Sequence, residues 1–180
     1  MKKILITSTL ASIFVFISAN SYAGGESTIS LGYAQSHLKV RGEKIDKNRK
    51  GFNIKYRYEI DNHWGAIVSF AYTHQRYNFY YGKIKITDAD VNYYSLNMGP
   101  VYRFNEYISA YGLIGLAHGK AKAKAKAAGY PTNDSATRLA YGAGLQFNPV
   151  KNVAIDASYE YSRLGGVKGG TWMIGVGYRF

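Results

Sequence analysis

The sequence has no cysteine and only 3 prolines in 180 residues. Without cysteine there are no disulfides, no thiolate metal ligands and no catalytic thiol. With little proline, long stretches of backbone are free to pair in sheets. Beyond the N-terminal segment, no stretch approaches the roughly 18 consecutive apolar residues of a membrane-spanning helix. Acids are also scarce: 11 Asp and Glu face 23 Lys and Arg, for a net charge of +12. The histidines, His37, His63, His74 and His118, are scattered and show no metal-ligand spacing. None lies in a His-x-Ser arrangement on an outward face, as acyl transfer in a barrel wall would need. We therefore expect no catalytic, metal or cofactor site, and no nucleic acid partner.

The chain does carry aromatics and small residues, with 18 Tyr, 8 Phe, 2 Trp and 20 Gly. It opens with Met1-Lys-Lys, continues through an apolar run over 4–17 and reaches small residues at Ser21-Tyr-Ala23. That order reads as a secretory leader over 1–23, with the working domain over 24–180.

The last ten residues set the pattern for the rest. Trp172, Ile174, Val176, Tyr178 and Phe180 alternate with Thr171, Met173, Gly175, Gly177 and Arg179. This period of two makes a strand with one greasy face. Similar strands are expected over 27–40, 51–60, 64–73, 91–104, 107–119, 139–147 and 153–162. The stretch 107–119 is apolar on both sides, so its facing is left open. Pro100 falls on an outward position and predicts a bulge or a gap in the ladder. Segments 74–90 and 120–138 are the long connections, the first of them extending its flanking strands. Short turns follow the second, fourth and sixth strands, and long connections, these two among them, follow the first, third, fifth and seventh.

Eight strands of about 9–11 residues each suit a tilted crossing of a bilayer. The predicted fold is all-β: an eight-stranded antiparallel transmembrane β-barrel with protruding extracellular strands and loops. The even count puts both mature termini on the periplasmic side and the long connections outside the cell.

Polar residues on the inner faces must share a narrow interior. Lys55, Arg57, Arg103 and Arg179 are expected there with Glu59, Asp156 and Glu160, in a packed network of ion pairs rather than a pore. Arg179 is expected beside Asp156. On the outside, Arg41, Lys44, Lys47, Arg49 and Lys50 make the first loop basic. Lys120, Lys122, Lys124 and Lys126 would form one charged row. Arg76, Tyr77, Phe79, Tyr80 and Tyr81 offer a Tyr- and Arg-rich contact surface. These are the candidate ligand-binding residues. Cations in such rows suit phosphates or sulfates, or simply protect exposed edges.

Five blocks carry a resemblance: Gly51-Phe-Asn-Ile-Lys-Tyr-Arg-Tyr-Glu59, Gly99-Pro-Val-Tyr-Arg103, Tyr141-Gly-Ala-Gly-Leu-Gln-Phe-Asn-Pro149, Asn152-Val-Ala-Ile-Asp156 and Gly175-Val-Gly-Tyr-Arg-Phe180. In order, they resemble the OmpX/Ail/PagC/Lom family of enterobacterial outer-membrane proteins. The resemblance implies a surface protein of virulence type, acting in adhesion, invasion and complement resistance. Its partners would be host extracellular matrix, sulfated glycans or complement regulators, besides membrane lipid, lipopolysaccharide and the barrel-assembly machinery that reads the Phe180 strand. The alternatives are an envelope barrel that contacts lipopolysaccharide with no host ligand and, remotely, a barrel enzyme acting on lipid A.

Overall fold

The computed structural model describes residues 25–40, 43–44, 49–81, 84–125, 132–164 and 167–180. At 38–40, 43–44, 76–81, 84–90, 121–125, 132–134, 164 and 167–168 it describes the backbone alone. The leader over 1–23 lies outside the described residues.

The strands are β1 (Ser27–Val40), β2 (Glu43–Lys44), β3 (Arg49–Glu59), β4 (Trp64–Tyr81), β5 (Ile84–Arg103), β6 (Ile108–Ala125), β7 (Thr132–Val150), β8 (Val153–Leu164) and β9 (Val167–Arg179). β1 pairs with β3, β3 to β9 pair in order, all antiparallel, and β9 closes on β1. The closing ladder runs from Thr28↔Arg179 to Val40↔Val167. Below it, the backbone groups of Ser27 and Phe180 exchange two bonds of 2.8 Å. β2 is a two-residue tab on β1, so the barrel wall has eight strands.

The molecule is apolar outside and polar inside. Leu31, Leu96, Met98, Ile114, Leu139, Ile174 and Val176 are exposed on the wall. Asn53, Lys55, Arg57, Glu59, Gln146, Asp156 and Glu160 are buried in the lumen. Water would reverse that arrangement, whereas hydrocarbon requires it. Two aromatic belts bound the greasy zone. Trp64, Tyr102 and Phe104 pack edge to face at one end, with ring centroids 5.1 Å apart in both contacts. At the other end Tyr72 meets Tyr94 at 4.9 Å and Tyr159 meets Trp172 at 4.7 Å. Along β5, Tyr94 and Tyr102 are separated by about 27 Å of strand, close to the roughly 25 Å apolar band of an outer-membrane barrel.

The unassigned stretch now has its facing. Ser109, Tyr111, Leu113 and Ala117 are buried, and Ile114 and Leu116 face out. Pro100 produces a gap rather than a bulge. Met98 pairs with Ile114 and Val101 with Tyr111 at one unbroken offset, but the positions between them are unpaired. Here β5 and β6 come so close that a Cβ on Gly99 would stand 1.9 Å from the Gly112 carbonyl.

The expected contrast of long and short connections changes form. β4 ends at Tyr81 and β5 starts at Ile84, so the long segment over 74–90 is nearly all strand. The asymmetry lies in strand length. β4 to β7 have 18, 20, 18 and 19 residues, while β1, β3, β8 and β9 have 14, 11, 12 and 13. β3 leaves β4 at Lys50↔His74, and β8 leaves β7 at Ala140↔Ser162. Above those pairs, β4 to β7 continue as a four-stranded sheet.

Two of the short turns use the same device. The Asp61 carboxylate accepts the backbone N–H groups of His63 and Trp64, both at 2.7 Å. The Asn105 side chain accepts those of Tyr107 and Ile108, at 2.9 and 2.8 Å. Short polar side chains bond forward in this way and fix the reversal. The N–H donors of Trp64 and His63 hold the Asp61 carboxyl below its usual range. A lowered folded-state pKa stabilises above the unfolded value of about 3.9 and is lost as pH falls through the folded value. Asp61→Ala should therefore lower the urea midpoint of the vesicle-inserted barrel at pH 7. The deficit relative to the parent should shrink as the pH drops through the acid range.

Candidate functional site

The seven polar residues expected in the interior form two clusters. In the middle of the barrel Lys55 Nζ donates to Asp156 and, at 2.7 Å, to Ser158. Tyr111 donates its hydroxyl to the other Asp156 oxygen at 2.6 Å, and Lys55 Nζ lies 5.5 Å from the Tyr111 ring centroid. Glu160 is held by neutral donors: Tyr93 at 2.5 Å, Ser95 at 2.9 Å and Asn97 at 2.7 Å.

At the end with the short turns, Glu59 collects three guanidinium groups. Arg57 and Arg179 approach at 3.2 Å, and Arg103 donates to the same carboxylate. Glu26, which precedes β1, also binds Arg179 and lies 3.5 Å from Arg103. Arg179 therefore does not partner Asp156 as expected. In the β8–β9 register Asp156 faces Gly175, while the Arg179 N–H reaches the Asn152 carbonyl at the rim. Lys55 takes Asp156 instead, from the far side of the lumen. Cross-lumen contacts of this kind depend on barrel closure, which strand pairing alone does not reveal.

Tyr93, Tyr111 and Glu26 were missed by sequence reasoning. Tyr93 was legible in principle, since it alternates in phase with Ser95 and Asn97. Tyr111 was hidden by a strand that is apolar on both faces. Glu26 was hidden because it lies outside the strand pattern.

The candidate surface residues fare unevenly. Arg49 is not part of an exposed loop. It opens β3 in phase with Asn53 and Lys55, is only 2% exposed, and sits with Cζ 5.4 Å from the Tyr93 ring centroid. Lys50 is exposed, and Lys44 belongs to β2. Arg41, Lys47 and Lys126 lie outside the described residues. Arg76, Tyr77, Phe79, Tyr80 and Tyr81 occupy the upper part of β4.

Lys120, Lys122 and Lys124 occupy alternate positions on β6, and acids stand opposite two of them. Lys122 stands opposite Asp90 and Lys124 opposite Asp88, and Asp90 also faces Arg76 on β4. Opposite charges in directly facing positions support a ladder. A second row contains only cations. Lys44 faces Lys39, Lys39 faces Lys168, and Lys168 faces Arg163, so β2, β1, β9 and β8 each present one. The backbone register keeps Lys39 in phase with Tyr33, Lys168 with Trp172 and Arg163 with Tyr159, four to six residues beyond those aromatics along their strands, and the Arg163 side chain is exposed.

Among the described residues no cluster could hold a metal ion. His118 Nδ1 meets Thr137 Oγ1 at 2.8 Å on the exposed wall. No carboxylate orients that imidazole among the described residues, so the pair lacks the third group of a nucleophilic triad.

The interior predicts a clear energetic response. Removing one member of a buried ion pair costs about 3–5 kcal/mol, while replacing both is often neutral or better. Lys55→Met should destabilise by that amount in urea titrations followed by Trp64 and Trp172 fluorescence. Lys55→Met with Asp156→Leu should recover most of the loss.

Comparison with known proteins agrees with this architecture. The family model described as outer membrane protein beta-barrel domain matches residues 7–180. The attachment invasion locus protein of Yersinia enterocolitica is 57% identical over 180 residues, covering 100% of both chains. Outer membrane protein X of Escherichia coli strain K12 is 44% identical over 185 residues, again covering 100% of both. Among solved structures, Ail of Yersinia pestis in complex with the heparin analogue sucrose octasulfate superposes with a TM-score of 0.80 at 56% identity, covering 88% of this chain and 100% of that one. With an inside-out barrel, two aromatic belts and these relatives, the chain belongs to the outer-membrane β-barrel family of Ail, OmpX and PagC, and spans the bacterial outer membrane with all eight wall strands.

Proposed function

We propose that this barrel is a surface adhesin that attaches the bacterium to host cells through sulfated glycans. The observation that carries this reading is the row Lys44, Lys39, Lys168 and Arg163. Like charges in directly facing positions destabilise a ladder. A polyanion laid across the row would turn that repulsion into several simultaneous, salt-sensitive contacts. The attachment invasion name of its relatives and the sulfated sugar bound by the Yersinia pestis protein support the same chemistry. The row Lys120, Lys122 and Lys124 contributes less, because Asp88 and Asp90 already oppose two of its members.

A second reading has a specific observation in its favour. The cationic positions follow the aromatic belt by four to six residues along β1, β8 and β9, on the side of the belt where lipid headgroups lie. Phosphates of lipopolysaccharide would meet them there, and the protein would then be an envelope component with no host ligand.

The two readings separate in one experiment. A non-adherent bacterium expressing this protein should bind heparin-coated surfaces and release from them at high salt. Replacing Lys39, Lys168 and Arg163 with Glu removes contacts of up to about 1 kcal/mol each. Adhesion should then fall on the order of tenfold to a hundredfold. Lys122→Glu with Lys124→Glu should do less. Unchanged adhesion, together with lost retention of lipopolysaccharide by the purified variant, would favour the envelope reading.

A further inference from the structure

The mouth at the periplasmic end is a recess of about 760 Å³ lined by Glu26, Glu59, Arg103, Glu106, Lys151 and Arg179, among others. Its volume is within the roughly 300–1,000 Å³ of small-molecule sites, although its walls are mostly polar. Its charges are arranged in two tiers. The floor has Arg103 and Arg179 against Glu59 and Glu26, so it is balanced while Glu26 is in place and has one cation in excess without it. The rim has Asp61 and Glu106 against Lys151, an excess of one acid.

Glu26 differs from every other member of the floor. It is outside the strands, and its side chain is 55% exposed, whereas Glu59 is only 6% exposed. It rests on Arg103 and Arg179 as an incoming carboxylate would. The Arg179 guanidinium beneath it is under-used. Nε of Arg179 is buried without a hydrogen-bond partner among the described residues. A buried donor left unpaired is costly, so a better acceptor than Glu26 would gain from filling that shortfall. Glu26 can leave cheaply because it is already half in water. Gly25 keeps the chain anchored when it does. A Cβ at Gly25 would lie 2.4 Å from the Glu59 carbonyl, so the backbone is tightly docked there, and the Glu26 carbonyl accepts the Glu59 N–H at 2.9 Å.

We propose that the periplasmic mouth is an exchangeable carboxylate site in which Glu26 is the built-in occupant. Its ligand is a small zwitterion, an amino acid or free peptide end, whose carboxylate replaces that of Glu26 on Arg103 and Arg179. The ammonium group lies toward Asp61 and Glu106, which repel a dianion such as phosphate. The site faces the periplasm, so it is independent of the adhesive role assigned to the opposite end.

The test uses the full barrel in lipid nanodiscs, with the arginine side-chain resonances followed by NMR during titration with glycine. Glycine should shift the Arg103 and Arg179 signals, and inorganic phosphate should shift them less at equal concentration. Glu26→Gln removes the competing carboxylate and should tighten glycine binding by about tenfold, with Glu26→Ala behaving alike. An unchanged amide spectrum elsewhere in the wall would show that both variants are folded. Absence of any glycine-induced shift overturns the proposal, as would equal or weaker binding in both variants or stronger binding of phosphate than of glycine.

Discussion

A backbone in hydrocarbon cannot leave a strand edge unpaired, and the ladder between β1 and β9 is what satisfies that constraint here. Much of the rest follows from it. Closing only eight strands leaves an interior just wide enough for side chains. Every inward position therefore has to be filled, and each charge placed there needs a partner across the lumen. Lys55 reaches Asp156, and Arg103 and Arg179 reach Glu59, because closure brings β3 to face β8, β5 and β9. None of these pairs is a ladder neighbour. The ion pairs therefore depend on the closed cylinder and hold it at one diameter.

Strand pairing and facing were legible in the sequence because a period of two has only two phases, and a charged residue in a greasy strand selects one of them. Lys55, Arg57 and Glu59 fixed β3 in this way, and Asp156 and Glu160 fixed β8. Where no charge marks the phase, as over 107–119, the pattern was silent and packing decided. Partners across the lumen were not legible, since alternation gives the face a residue occupies but not its height relative to residues several strands away. Arg179 was paired with Asp156 on proximity to the same rim, and the register placed it with Glu59 and Glu26 instead. Arg49 belongs by composition to the basic run over 41–50, yet it continues the inward phase of Asn53 and Lys55 by two further steps.

At the outer end, composition and register give different pictures. Summed along the chain, the lysines of β6 form the most basic run, and the first loop ranks behind it. Placed on the ladder, the β6 lysines meet Asp88 and Asp90, which are distant in sequence and adjacent in space. Lys39 and Lys44 come from one end of the chain and Arg163 and Lys168 from the other, and closure of β9 on β1 joins the two pairs into one row. Repulsion within such a row weakens the local ladder. Its persistence on four neighbouring strands is easier to understand when an anion completes the structure than when solvent alone surrounds it. A row that served only to keep edges from aggregating would gain nothing from alignment across paired strands.

The two ends of the barrel thus divide the work differently. The outer end extends its strands, from β4 to β7, and spends its polar residues on a surface. The periplasmic end keeps its turns tight with Asp61 and Asn105 and draws its arginines inward around Glu59. Tight turns let the charged floor sit close to water without being covered by a loop. In the described residues only Glu26 caps that floor, and it does so with a half-exposed side chain. The same economy of loops that seals the lumen against lipid leaves its lower opening accessible to small solutes, so the polar network is both the packing of the barrel and the wall of a recess.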